Sequence, residues 1–162
     1  MASTRSRSDV GLSVNRSSLG RRSRRKGKAF ELVVRDVVYD QLPGLTVTVR
    51  RSSQAERAYD ADVVVEGPAL PHWLHALWIE CNHAEAPNPL KKLDQAERDA
   101  EAFVQRTGRA RSPVVVWRKN REQTIWATWR LGTFGLGLEK GWPNMIVTCP
   151  WQELLSHLAR RP

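Results

Sequence analysis

Apolar positions along the chain change their period several times, and each change marks an element. From Gly27 to about Gln41, the residues Ala29, Phe30, Leu32, Val33, Val34, Val37 and Val38 fall largely on one face at helical spacing. Pro43-Gly44 ends that helix. Leu45-Thr46-Val47-Thr48-Val49 alternates apolar and polar, the period of a strand, and runs into Arg50-Arg51. A polar loop from Ser52 to Tyr59 leads to Asp62-Val63-Val64-Val65, a second strand stopped by Gly67-Pro68. Ala76 to Cys81 reads as a third strand. Pro87 and Pro89 close a loop, and Leu90 to about Arg106 reads as a helix with Leu93, Ala96, Ala100, Phe103 and Val104 along its buried stripe. Pro113 to Trp117 is short and apolar enough for a buried strand. Gln123 to Trp129 is its hairpin partner across the polar turn Arg118–Glu122. Met145 to Thr148 reads as a last strand and Trp151 to Ala159 as a closing helix, while residues 130–144, with four glycines, give little signal. The order predicts an α/β domain: a central mixed sheet flanked by helices.

Ahead of that domain the periodicity vanishes. Residues 1–26 are rich in Ser, Arg and Gly, and are expected to form a disordered basic arm, with the folded domain spanning 27–162. Residues 1–28 hold nine Arg or Lys against Asp9 alone, a net +8 of the chain's +9. The remaining 17 basic and 16 acidic residues leave residues 29–162 at +1. A cationic arm on a nearly neutral domain attracts polyanions through counterion release, so nucleic acid is the leading partner. The arm lacks the apolar face that a membrane surface would require. No run of about 18 apolar residues is present to span a bilayer, and no apolar stretch follows the first arginines as in a secretory signal. An Arg- and Ser-rich organellar transit peptide stays open for residues 1–28. Cys81 and Cys149, the two cysteines, have neither disulfide-scaffold density nor metal-knuckle spacing, which points to a reducing cytoplasm.

Three acids stand where propensity alone would not put them. Glu31 lies beside the apolar stripe of the first helix, Asp62 opens the run Val63–Val65, and Glu80 ends Leu77-Trp78-Ile79. A carboxylate at the end of a buried strand loses hydration and needs a cation or another partner. Several converging carboxylates make a hard-oxygen site suited to Mg²⁺, with Mn²⁺ as substitute. Taken singly, each has an ordinary reading: a solvated helix residue, a strand-edge turn, an arginine partner. Asp60 rivals Asp62, because residues two apart on a strand share a face.

The segments Gly27-Lys28-Ala29-Phe30-Glu31, Asp60-Ala61-Asp62-Val63-Val64 and Trp78-Ile79-Glu80-Cys81-Asn82 resemble the three signature blocks of PD-(D/E)xK nucleases. The resemblance is nearest to small phage and archaeal-type Holliday junction resolvases and covers roughly residues 26–130. It implies a restriction-endonuclease-like sheet, a homodimer and a Mg²⁺-dependent endonuclease acting on branched DNA. The implied compartment is the cytoplasm of a bacterial, archaeal or phage-infected cell. By resemblance Glu31, Asp62 and Glu80 are metal ligands, joined by the backbone carbonyl of Cys81. Asn82 stands where the family has lysine. Three outcomes follow: Asn82 holds the water by hydrogen bonds alone, Lys91 or Lys92 reaches in from the next helix, or cleavage is poor.

Arg50, Arg51, Ser52, Ser53 and Gln54 form a cationic, hydroxylated stretch leading toward Asp62 and are candidates for phosphate contact, as are Lys28, Lys91 and Lys92. His83 is a candidate for proton transfer or for contact with the scissile strand, and His72 and His75 lack a partner spacing. Trp73, Trp78, Trp117, Trp126 and Trp129 are expected to fill core or a dimer interface rather than stack on bases. Two other readings stand beside the nuclease: a non-catalytic nucleic-acid-binding protein keeping the fold, and a basic-armed structural protein whose three acids never meet.

Overall fold

The computed structural model describes residues 16–42, 48–50, 61–66, 76–134 and 144–160. The elements run α1 (Arg16–Gln41), β1 (Thr48–Arg50), β2 (Val63–Glu66), β3 (Leu77–Ala84), α2 (Pro89–Thr107), β4 (Ser112–Lys119), β5 (Trp126–Arg130), a 3-10 turn (Leu131–Phe134), β6 (Ile146–Pro150) and α3 (Trp151–Ala159). The six strands lie in one sheet in sequence order, β1 to β6. Every neighbouring pair is antiparallel except β3 and β4, which α2 joins as a crossover. The expected mixed α/β architecture is therefore present.

Alternation along the strands sorts side chains onto two faces. Val63, Val65, Leu77, Ile79, Val114, Val116, Ala127 and Trp129 turn toward α1 and α3, meeting Phe30, Val34 and Val38 from one helix and Trp151, Leu154, Leu155 and Leu158 from the other. Phe30, Val34 and Val38 recur every four residues, so one stripe of α1 is fully withdrawn from water. The opposite face is smaller. Ala61, Val64 and Trp78 meet Ala96 and Ala100 of α2, with Phe103 packed alongside.

Among the boundaries that differ from expectation, two have identifiable reasons. The first helix begins at Arg16 rather than near Gly27, so the expected arm boundary at residue 26 falls inside α1. Residues 16–26 contain no proline or β-branched residue and are mostly Arg, Lys, Ser and Leu. Extending a helix already anchored by packing avoids the nucleation cost that leaves a free basic segment irregular. The third strand runs to Ala84, not Cys81, because its parallel ladder with β4 continues through Asn82↔Trp117 and His83↔Arg118 to Ala84↔Lys119. Sequence alternation could not show that partner.

The start of α2 is fixed locally. Asn88 Oδ1 accepts a hydrogen bond from the Lys91 N–H at 3.0 Å, and Pro89 follows at the first helical position. Gly108 closes the helix with φ 68°, donating its N–H to Val104 O at 2.8 Å.

Candidate active site

The β2–β3 register determines where the acids go. Val63 pairs with Ile79, so continuing the register by one residue sets Asp62 opposite Glu80. Glu80 lies on the α2 side of the sheet, with Val64 and Trp78, and the Asp62 charge acts on it. Asp62 Oδ2 accepts a hydrogen bond from the Cys81 N–H at 2.9 Å, which ties the residue before β2 to the middle of β3. Glu80 is 6% exposed, following three fully buried residues. Its Oε2 accepts a hydrogen bond from Lys92 Nζ at 3.1 Å. Lys92 lies in the first turn of α2, where the Asn88–Pro89 start holds it over β3.

The electrostatics follow from burial beside like charge. Burial, then the Asp62 charge, push the Glu80 carboxyl from an ordinary 4.5 up to about 7, against the charge and hydrogen bond of Lys92; Asp99 adds a smaller push upward. Burial pulls Lys92 down, but Glu80, Asp62 and Asp99 outweigh it and hold the ammonium above its ordinary value. The short Lys92–Glu80 contact and the raised Glu80 value are compatible: among the described residues, one lysine supplies too little positive charge for this group of acids. The Cys81 thiol is pushed up by burial and then by the charges of Asp62, Glu31 and Glu80. All three predicted acids therefore act on one residue.

They do not act equally. Glu80 faces α2 and Asp62 accepts from the next residue's N–H, whereas Glu31 is half-buried on α1, which packs on the other face beside Cys81. Among the described residues, no three His, Cys, Asp or Glu side chains gather closely enough to hold a metal ion. The donor chemistry nevertheless suits a hard divalent cation. Asp62 Oδ1 and Glu80 Oε1 have no hydrogen-bond partner among the described residues, and negative charge exceeds the one lysine. The Cys81 carbonyl belongs to the same strand segment.

Asn82 is half-buried on the Glu80 side of β3, opposite Trp117. Lys91 is exposed, its backbone N–H taken by the Asn88 cap, so of the two lysines Lys92 is the one that reaches Glu80. Lys28 is exposed on α1. His83 lies on the opposite sheet face from Glu80, its ring 5.2 Å from Phe30, and so is not placed for proton transfer at Glu80. Arg50 ends β1 across from Val64. Arg51, Ser52, Ser53, Gln54, Asp60, His72, Trp73 and His75 lie outside the described residues. Trp78 and Trp129 fill core as expected, whereas Trp117 and Trp126 stack on each other at 6.1 Å and are half-buried. Sequence reading missed Asp99, two helical turns beyond Lys92; the seven-residue spacing that places both on one face was a usable signal. Comparison with family models, curated proteins and solved structures returns no match.

Proposed function

We propose that the chain is a metal-dependent endonuclease of the PD-(D/E)xK type that hydrolyses phosphodiesters in branched or structured DNA, as a Holliday junction resolvase does. The observation that carries this reading is the buried Glu80 with Lys92 on its carboxylate and the half-buried Asp62 tied to the neighbouring Cys81 N–H. Paired carboxylates with an adjacent ammonium are the groups that phosphodiester hydrolysis needs near one point. Asp62, Glu80 and the Cys81 carbonyl would hold Mg²⁺ or Mn²⁺, with Glu31 completing the set from α1. That ion would neutralise the acids and polarise the phosphodiester. Lys92 then fills the place left by Asn82: its ammonium orients a water and offsets charge developing on the phosphate. Asn82 offers hydrogen bonds to the same water. The basic N-terminal segment draws DNA in, and two symmetric cuts call for a homodimer. Among the described residues, no helix is long and apolar enough to cross a membrane.

The test is cleavage of a synthetic four-way junction with Mg²⁺ or Mn²⁺. The parent is expected to cut, and Glu80→Ala to bind the junction without cutting it. Equal cutting by Glu80→Ala would sink the site assignment. A second reading, a non-catalytic DNA-binding protein keeping this fold, is favoured by one observation: three donor side chains are not gathered among the described residues. Junction binding with no cleavage under either metal would select it.

A further inference from the structure

The parallel pair β3–β4 brings two strand ends out at one edge of the sheet, with Ala84 opposite Lys119. The carboxyl ends of parallel strands are where α/β sheets most often receive ligands. At that edge lies a pocket of about 440 Å³ lined by Lys26, His83, Glu85, Lys119, Asn120 and Arg121. It is built from α1, the end of β3 and the turn after β4. Its volume falls within the roughly 300–1,000 Å³ of small-molecule sites, more than a single ion requires.

The lining is chemically one-sided. Lys26, Lys119 and Arg121 face one acid among the described residues, Glu85. Among the described residues neither Lys26 nor Arg121 is in an ion pair, and Lys119 has only the exposed Glu122 at 3.5 Å. Such a surface pair is weak and leaves the ammonium available. The His83 imidazole lies against the Lys26 backbone, its Nδ1 buried and making no hydrogen bond of good geometry. Arg118 stands behind, its guanidinium 5.1 Å from the Phe30 ring. The turn is shaped by the Asn120 N–H donating to Ala84 O at 2.9 Å, and by Arg121 at φ 69°, a left-handed conformation uncommon for arginine. A backbone so held projects a long cation at the pocket mouth.

We propose that this pocket binds a backbone phosphate of the DNA strand, with Lys26, Lys119 and Arg121 neutralising it and His83 and Asn120 hydrogen-bonding it. The proposal rests on the nuclease reading for its ligand but uses none of the residues that reading assigns to metal or catalysis. His83 lies three residues beyond Glu80, about 10 Å along the strand and on the opposite face of the sheet, so the pocket takes a phosphate other than the one at the carboxylates.

The experiment uses the full chain carrying Lys119→Gln with Arg121→Asn, since asparagine tolerates the left-handed backbone. Binding of a fluorescent DNA junction is measured in EDTA across a salt series, beside the parent and a control pair, Arg98→Gln with Arg109→Gln, whose residues are exposed elsewhere. The expected result is severalfold weaker binding, with the slope of log affinity against log salt reduced by about 2, and little change in the control. An unchanged slope, or equal loss in the control pair, would overturn the assignment. Displacement of the junction by a free 5′-mononucleotide from the parent but not from the variant would also overturn it, placing the phosphate on a small molecule. Failure of Mg²⁺-dependent cutting with this binding pattern intact would instead refute the nuclease reading and leave the pocket standing.

Discussion

Replacing Lys92 by methionine removes the cation facing Glu80 while keeping an unbranched apolar stem in the same place. In the parent, Glu80 titrates near 7 in the fold against an ordinary 4.5. A raised value means that its contribution to stability is complete below 4.5, is lost as pH rises toward about 7, and is constant beyond, where both folded and unfolded states are ionised. In Lys92→Met the charge and hydrogen bond that hold Glu80 down are gone, while burial and Asp62 remain. Glu80 then titrates higher, and the variant keeps losing stability above pH 7. At pH 7 the parent's carboxyl is half ionised, so the variant forfeits at most RT ln 2, about 0.4 kcal/mol. Each further pH unit adds at most about 1.36 kcal/mol, giving an upper bound of about 3 kcal/mol near pH 9. The Lys92 side chain is 31% exposed, so solvent screening brings the expectation to about 2 kcal/mol. Lys92 itself stays charged throughout, its value being held above 10.5. Urea unfolding in EDTA from about pH 6 to 9 should show parent and variant nearly equal at the acid end and diverging above 7. A gap independent of pH, or a variant more stable near pH 9, would refute the electrostatic reasoning.

Three further outcomes are expected. Asp62→Asn keeps an acceptor for the Cys81 N–H but removes the charge acting on Glu80, so the Glu80 midpoint should fall below about 7 by carboxyl-resolved NMR; under the proposed function Mg²⁺ affinity should also fall, by about tenfold or more, and an unmoved midpoint would count against the pairing. Gly108→Ala should cost about 1 kcal/mol in urea unfolding. The cost is conformational, because φ is 68° and a Cβ would meet nothing within 4 Å; unaltered stability would contradict the cap. Removing residues 1–25 should weaken DNA binding and flatten its salt dependence, whereas an unchanged slope would exclude the arm from the DNA footprint.

The sequence made the elements legible because their signals are local. Phe30, Val34 and Val38 give α1 its buried stripe, and Trp151 to Ala159 bounds α3 to the residue. Asp62 and Glu80 were legible because an acid abutting a buried β-branched or apolar run needs an explanation in itself. Less was visible of what depends on register. Which face Glu80 shares, and with whom, follows from Val63↔Ile79, a pairing no local pattern encodes. The basic pocket was illegible for the same reason. Lys26, His83 and Arg121 are far apart in the chain, and the Arg118–Glu122 turn reads as an ordinary polar hairpin until β3 and β4 are known to be parallel. Arm and helix could not be separated at residue 26, because Arg and Lys suit both a solvated tail and a helix extended from a packed core.

Parallel pairing also bears on the absent strand lysine. Joining β3 to β4 in parallel obliges the chain to cross one face of the sheet, and α2 makes that crossing over the face that carries Glu80. A side chain in the first turn of α2 therefore reaches the same carboxylate that a strand residue at position 82 would reach. Lys92 does so at 3.1 Å. A second lysine at 82 would set two cations against one carboxylate pair, draw Glu80 well below 7 and compete with a divalent ion for the same oxygens. Asparagine at 82 avoids that competition and keeps two hydrogen-bonding functions on the face. Under the proposed function, Asn82→Lys should then lower Mg²⁺ affinity and fail to raise cleavage, whereas in Lys92→Met it should restore part of the lost activity. A rise in cleavage by Asn82→Lys alone would show that Lys92 does not occupy the role assigned to it.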